Sequence, residues 1–111
     1  MALHLDPGNL LALTRRGDVY HASGAYEAAL ADYSHAIALN PQHSLAYVGR
    51  AGVYATLGDD ARDGLRRLAT TSAAIADYER YLELRPDAPD MERVETALAA
   101  LRSRRKPDTL H

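Results

Sequence analysis

The sequence repeats itself at an interval of 34 residues. Five pairs of identical residues share this offset: Ala2 and Ala36, Leu5 and Leu39, Pro7 and Pro41, Tyr20 and Tyr54, and Gly24 and Gly58. A fixed period of about 20 to 50 residues is typical of repeat proteins, in which each unit packs only against its neighbours. The chain is therefore predicted to be a stack of similar units.

Each unit is predicted to consist of two amphipathic helices. In the stretch 10–43, apolar and small residues recur three and four positions apart, which is the spacing of a buried helical stripe. The stripe comprises Leu13, Gly17 and Tyr20, then Tyr26, Ala29, Leu30, Tyr33, Ala36 and Ile37. Gly24 can adopt the left-handed conformation that ends a helix, and Asn40 before Pro41 ends the second helix, since a residue before proline avoids the helical region.

The same residues resemble the tetratricopeptide repeat (TPR) family. The positions that match its pattern are Leu13, Gly17, Tyr20, Gly24, Tyr26, Ala29, Tyr33, Ala36 and Pro41. Arg16 departs from the leucine that is usual in the family. The resemblance covers nearly the whole chain and implies an all-α fold, a short right-handed α-solenoid of antiparallel helix pairs with a C-terminal capping helix.

The repeat divides the chain into five segments. Residues 1–9 look like the end of a preceding repeat, 10–43 form a repeat, 44–87 form a second repeat with an insert, 88–105 form the capping helix, and 106–111 are expected to be a disordered tail. Two explanations of the opening stay open. Either the natural protein continues upstream, or Met1 is the true start and a partner covers the front of the stack.

The second repeat is longer than the first. Pro41 and Pro86 are 45 residues apart, which is 11 more than one period, and the excess lies between Gly58 and Ala74. Apolar residues in it stay in phase with the helix that follows, namely Ala61, Leu65 and Leu68, so the insert is predicted to be helical. Gly64 and residues 70–72 both offer break points; we favour a longer second helix with a break near residues 70–72.

The last predicted helix closes the stack. Met91, Val94, Leu98 and Leu101 have helical spacing, acidic residues occupy the first turn, and the basic run 102–106 lies at the end, as the helix dipole favours. A helix with one apolar stripe and a charged far side suits a terminal cap. The basic run is expected to be a solvated helix end.

Composition argues against several classes of function. Thirteen Lys and Arg against fifteen Asp and Glu give a net charge of −2, so no overall charge attracts nucleic acid or a membrane. The chain has no cysteine, which excludes disulfides, thiolate catalysis and cysteine-based zinc sites. No apolar run approaches the roughly 18 residues that span a bilayer. We therefore expect a soluble, cytoplasmic protein that binds neither nucleic acid nor membrane.

Nothing in the sequence predicts an enzyme, a metal or a cofactor. His21 lies one turn after Asp18, and His35 one turn after Asp32, but two ligands do not make a zinc site, which needs at least three protein ligands. There is no nucleophile-elbow motif and no glycine-rich phosphate loop. Arg62, Arg66 and Arg67 on the insert are expected to form its wet face, with a ligand site as the alternative.

The resemblance implies a protein-interaction module. In TPR proteins the first helix of each pair lines a concave groove that receives an extended peptide or a partner's helix. The positions that correspond here are Leu11, Thr14, Arg15, Asp18, His21, Leu45, Val48, Gly49 and Gly52. Thr14, Asp18 and Gly49 replace the lysine and asparagine with which one branch of the family binds the acidic tail of heat-shock chaperones, so that ligand is disfavoured.

Within this groove Arg15 is the predicted polar anchor. Tyr20, Tyr33, Tyr54 and Tyr78 match positions that pack between helices and are expected in the core. Two alternatives remain: self-association through the open N-terminal face of the 10–20 helix, and a role as the scaffold segment of a larger enzyme or of a secretion or assembly factor.

Overall fold

The computed structural model describes residues 9–105, which form five α-helices and no strand within that range. The predicted end of a preceding repeat lies outside the described residues except for Asn9, and the predicted tail lies wholly outside them. The helices are α1 (Leu10–Ala22), α2 (Tyr26–Leu39), α3 (Ser44–Asp60), α4 (Gly64–Leu84) and α5 (Met91–Arg105). Each helix packs against the next, and α1 also contacts α3. The chain thus has the all-α, helical-repeat architecture that the period predicts.

Local signals set the bounds of the first helix pair. The Asn9 side chain accepts a hydrogen bond of 2.9 Å from the Ala12 N–H, which satisfies one of the free amides at the start of α1. Gly24 follows α1 with a φ of 84°, a conformation that side chains with a Cβ rarely adopt. The helix that follows begins two residues later, at Tyr26. The turn between α1 and α2 is the one that the sequence predicts.

Gly58 lies at the same repeat position but has a different role. It is inside α3, which continues to Asp60, and Gly24 is the one glycine with a positive φ in the described part of the chain. A Cβ on Gly58 would lie 3.1 Å from the Thr70 Oγ1 and 3.3 Å from the Thr71 Oγ1. Gly58 is therefore explained by the close packing of α3 against α4, whereas Gly24 is explained by the turn that follows α1.

The insert extends α4 towards its N-terminus. The helix runs for 21 residues without interruption through residues 70–72, so the break expected there is wrong. The Thr70 hydroxyl donates to the backbone oxygens of Arg66 and Arg67 and thus forms its local bonds without ending the helix. The chain instead turns at residues 61–63, where the Asp63 carboxylate accepts a 2.9 Å hydrogen bond from the Leu65 N–H.

The in-phase leucines of the insert are exposed. Leu65 is 79% exposed and Leu68 is 46% exposed, whereas Thr71, one turn further along, is 1% exposed. The first two turns of α4 thus project beyond the packed part of the fold. Periodicity predicts the helix correctly here, but the burial that it usually implies does not follow.

The core consists of two clusters, one for each helix pair. The first contains Leu13, Ala29, Tyr33, Ala36, Ala46 and Val53. The second contains Tyr47, Ala74, Ile75, Tyr81, Ala88, Val94, Leu98 and Leu101. Because three apolar side chains of α5 belong to the second cluster, α5 covers the apolar face of α4.

One ion pair joins the two helices of each helix pair, and the two ion pairs occupy equivalent positions in the repeats. Arg16 donates from Nε and Nη2 to the Asp32 carboxylate at 2.7 and 2.8 Å, and Arg50, 34 residues later, donates in the same way to Asp77 at 2.8 and 2.9 Å. Both aspartates are 5% exposed. Arg50 also donates to the Ser34 hydroxyl at 3.1 Å and so links α3 to α2. The departure at Arg16 is therefore one half of a repeated structural device.

Candidate functional site

A cleft of about 490 Å³ lies along the face that α1, α3 and α5 share. Three first helices supply its walls: Thr14, Asp18 and His21 from α1, Leu45, Val48, Gly49 and Gly52 from α3, and Arg93, Val94 and Ala97 from α5. Tyr33 of α2 and Tyr78 of α4 complete the lining. Each odd-numbered helix thus presents one face to the same concavity.

Seven of the nine positions that the resemblance implies line this cleft. Leu11 and Arg15 do not. Arg15 is one residue, or about 100°, around the helix from Thr14, and it is exposed beside the cleft. Leu11 lies one turn before Thr14 on the same face, near the start of α1, and is 46% exposed. The structure therefore does not place the predicted anchor Arg15 in the lining.

Tyr33 enters the cleft from behind, between α1 and α3. A Cβ on Gly17 would lie 2.7 Å from the Tyr33 Cε1, and one on Gly49 would lie 2.5 Å from the same atom. The ring therefore fits between two helices only because both positions lack a side chain. Its hydroxyl donates to the Asp18 carboxylate, and burial followed by this hydrogen bond raises the pKa of Tyr33. Tyr33 is a core residue, as predicted, and it also lines the cleft.

Tyr78 is the equivalent residue of the second helix pair. It is half-buried and lies at the cleft beside Arg93, Val94 and Ala97. Burial raises the pKa of Tyr78, while the positive charge of Arg93 opposes this rise. The Arg93 guanidinium also donates to the Asp90 carboxylate at 3.3 Å.

Thr14 connects the cleft to the start of α3. Its hydroxyl donates to the Leu10 carbonyl oxygen at 2.7 Å and lies 2.8 Å from Nε2 of His43. Because the hydroxyl proton is used towards Leu10, we assign the hydrogen of the second bond to His43 Nε2. Burial lowers the pKa of His43. This histidine therefore acts as a neutral donor that orients Thr14.

The two aspartate–histidine pairs of the sequence do not converge on a metal. Asp18 binds the Tyr33 hydroxyl, His21 lies 3.4 Å from the Thr56 hydroxyl, and Asp32 binds Arg16. Within residues 9–105 no three His, Cys, Asp or Glu side chains are grouped closely enough to hold a metal ion.

The basic side chains of the insert and of the C-terminal end of α5 lie away from the cleft. Arg67 donates to the Ala61 carbonyl oxygen at 2.8 Å, and Arg104 forms a 2.6 Å ion pair with Asp59, so both stabilise the end of α3. The lining of the cleft itself contains one acid, Asp18, and one guanidinium, Arg93. Of the helices described, none has the length and apolar character to cross a membrane.

The part of the cleft contributed by α5 was not predicted from the sequence. Arg93, Val94 and Ala97 lie on a helix read only as a cap, although Ala97 is four residues after Arg93 and three after Val94 and so shares a face with both. The order of the helices could have indicated this role, because α5 follows the second helix pair, where the first helix of a third repeat would lie.

A family model and a solved structure are similar to this chain. The family model described as TPR repeat matches residues 17–58. No curated protein matches the chain. A solved structure, the first TPR of Spaghetti (RPAP3) bound to the HSP90 peptide SRMEEVD, is 26% identical, with 88% of this chain and 99% of that chain covered, at a TM-score of 0.43.

The matched segment begins at Gly17, in the first helix, and ends at Gly58, in the third. It therefore contains a complete second helix, the turn at Gly24 and most of α3. Residues 17–58 are thus similar to a tetratricopeptide repeat, within an all-α, helical-repeat fold.

Proposed function

We propose that the chain is a non-catalytic protein-interaction module whose cleft receives a peptide or a helix of a partner protein. The observation that supports this most is the composition of the cleft: seven of nine expected groove positions line one concavity. The site has walls from three helices, so its shape is set before a partner arrives. Such preorganisation lowers the entropic cost of binding.

The chemistry of the lining suits a mixed ligand. Val48 and Tyr78 offer partly buried apolar surface, and Asp18 and Arg93 offer opposite charges. An apolar side chain of the partner would supply most of the affinity, and its basic and acidic groups would set its direction. Asp18 takes the place of Arg15 as the polar group on which we expect binding to depend.

A random peptide library displayed on phage, selected on the wild-type chain, tests this proposal. Each enriched peptide is then measured by fluorescence anisotropy against Ala97→Arg, which fills the cleft from α5, and against Ala99→Arg, the same change on the exposed side of that helix. We expect Ala97→Arg to weaken binding at least tenfold and Ala99→Arg to leave it unchanged. Equal affinities for the two variants, or no enriched peptide, would contradict the proposal.

The sign of the charge at Asp18 gives a second test. The peptide SRMEEVD belongs to the neighbour's structure, and its acids would meet Asp18 in this cleft. We expect it to bind weakly, to bind more tightly to Asp18→Asn, and to bind less well to the wild type than its uncharged relative SRMQQVN does. Asn can still accept the Tyr33 hydroxyl, so the variant changes the charge and keeps the packing. If SRMEEVD binds more tightly to the wild type than to Asp18→Asn, the assignment of Asp18 is refuted.

Self-association through the N-terminal face of α1 and a scaffold role in a larger protein stay predictions. Leu11 and Val19 are exposed on α1. Light scattering of Leu11→Ser against the wild type, over a concentration series, tests the first of them. An unchanged mass for both proteins at all concentrations would argue against this face.

A further inference from the structure

The projecting end of α4 carries an apolar surface that the described fold leaves uncovered. Leu65 and Leu68 are three residues apart and therefore neighbours on one face of the helix. Their exposures of 79% and 46% make Leu65 the most exposed large apolar side chain among residues 9–105. We name residues 62–69 the α4 tip. Exposed leucines grouped in this way are typical of a contact surface.

Arginines with no internal partner flank these leucines. The side chains of Arg62 and Arg66 form no ion pair or hydrogen bond with any residue of the described range, whereas the Arg67 side chain donates to Ala61. The nearby Asp63 carboxylate caps α4. The α4 tip therefore presents two leucines with two positive charges available to a partner.

A groove of matching chemistry lies at the other end of α4. It has a volume of about 410 Å³ between α4 and α5 and contains two leucines and three glutamates: Leu82, Leu98, Glu79, Glu83 and Glu95, together with Arg102. Arg102 binds Glu79 at 2.6 Å, and Arg80 binds Glu83 in an exposed pair at 3.1 Å. Glu95 has no ion-pair partner in the described chain. We name this surface the α4–α5 groove.

The tip cannot reach the groove of its own chain. Leu65 and Leu82 lie on the same uninterrupted helix, and the 17 residues between their positions correspond to about 25 Å at 1.5 Å per residue. Any contact between these two surfaces must therefore join two molecules.

We propose that the α4 tip of one copy docks into the α4–α5 groove of a second copy. Leu65 and Leu68 pack against Leu82, and Arg62 and Arg66 lie opposite Glu83 and Glu95. Charge complementarity selects this occupant, since an apolar surface rimmed by arginines meets one rimmed by glutamates. Because the two surfaces differ, the contact is heterologous, and each added copy leaves one tip and one groove free.

Charge reversal separates this contact from other modes of association. Sedimentation velocity over a concentration series is measured for the wild type, for the tip variant Arg62→Glu/Arg66→Glu and for the groove variant Glu83→Arg/Glu95→Arg. We expect the mass of the wild type to rise with concentration and each variant to associate at least tenfold more weakly. All changed residues are exposed, and circular dichroism verifies that each variant is folded.

Mixing the two variants gives the decisive result. In an equimolar mixture the unchanged tip of the groove variant meets the unchanged groove of the tip variant, and the reversed tip meets the reversed groove. The mixture should therefore regain the concentration-dependent association that each variant alone has lost. A single chain that carries all four changes should associate again, because both charges are reversed. Failure of the mixture to associate, or a wild type that stays monomeric throughout, would overturn the proposal.

Leucine variants provide a matched control. Leu65→Ser should weaken association as much as charge reversal does, whereas Leu39→Ser, at a leucine that is 48% exposed on α2, should leave it unchanged. Raised salt should weaken the wild-type contact by screening the charges. Loss of association with the tip variant but not with the groove variant would show that the tip docks elsewhere, and would also refute the proposal.

Discussion

Replacing one partner of the Arg50–Asp77 ion pair should destabilise the fold far more than replacing both. In Arg50→Leu, the Asp77 carboxylate, which is 5% exposed, loses two charge-assisted hydrogen bonds of 2.8 and 2.9 Å. Breaking a buried pair costs about 3 to 5 kcal/mol, because one charge remains buried without a partner. The Arg50 side chain is 21% exposed, so we expect the lower end, about 3 kcal/mol.

The double variant Arg50→Leu/Asp77→Leu has no buried charge left. Replacing a whole buried pair by apolar residues is often neutral or stabilising, so its free energy of unfolding should lie within about 1.5 kcal/mol of the wild type. If Asp77→Leu costs about as much as Arg50→Leu, the coupling energy between the two sites is about 4.5 kcal/mol or more, above the roughly 0.5 to 3 kcal/mol that is usual for residues in contact.

Urea denaturation followed by circular dichroism measures these free energies. The exposed pair Arg80–Glu83, with side chains 41% and 66% exposed, serves as a control, and its double-mutant cycle should show no measurable coupling. The equivalent pair Arg16–Asp32 should behave like Arg50–Asp77. Additive losses in the cycle, or single variants that cost less than about 1 kcal/mol, would refute the idea that these pairs act as buried units.

Three further variants and conditions test the packing around the cleft. Gly49→Ala would place a Cβ 2.5 Å from the Tyr33 Cε1 and should lower the free energy of unfolding, measured by urea denaturation, by about 1 to 3 kcal/mol. Gly64→Ala has no atom within 4 Å of the new Cβ and should not destabilise the fold. Equal effects of the two variants would contradict the packing of Tyr33 between Gly17 and Gly49. The Thr71 hydroxyl is buried without a hydrogen-bond partner in the described chain, so Thr71→Val should raise the free energy of unfolding by about 1 kcal/mol, and a loss would show a partner that the structure does not reveal. Burial raises the pKa of Tyr33 and Tyr78 in the folded state, so these groups stabilise the fold fully below the unfolded pKa of about 10, and stability should fall as the pH rises above that value. In thermal denaturation, Tyr33→Phe should show a weaker fall of stability with pH. A pH profile equal to that of the wild type would contradict the raised pKa of Tyr33.

Much of the fold could be predicted because repetition and helical spacing are both local signals. The turn at Gly24 follows from a glycine placed after an amphipathic stretch, and the helix bounds near Asn40 follow from the proline after it. The break in the second pair could not be predicted in the same way. Two competing break points lay within the insert, Gly64 and residues 70–72, and the choice depended on whether the Thr70 hydroxyl would bond locally without ending the helix.

The site was predictable where it depends on one helix face and unpredictable where it depends on packing between helices. The resemblance implies that Asp18, His21, Val48 and Gly52 belong to a groove, and all four line the cleft. The entry of Tyr33 requires that Gly17 of α1 and Gly49 of α3 meet the same ring, and no local pattern contains that information.

The ion pairs lie between these two cases. Arg16 and Arg50 are 34 residues apart, and Asp32 and Asp77 are 45 apart, which equals the period plus the insert. A search for charged residues at these offsets would have found both pairs. Their contact could still not have been inferred without the packing of the two helices.

The Tyr33 ring contacts helices of two successive repeats, and its hydroxyl donates to Asp18, which lines the cleft. If the angle between α1 and α3 changes, the Tyr33 ring must shift, and the Asp18 carboxylate must shift with the hydroxyl that it accepts. The bend of the array and the position of the Asp18 charge in the cleft are thus coupled. If the cleft binds a partner as proposed, a change in this bend should change which ligands it prefers.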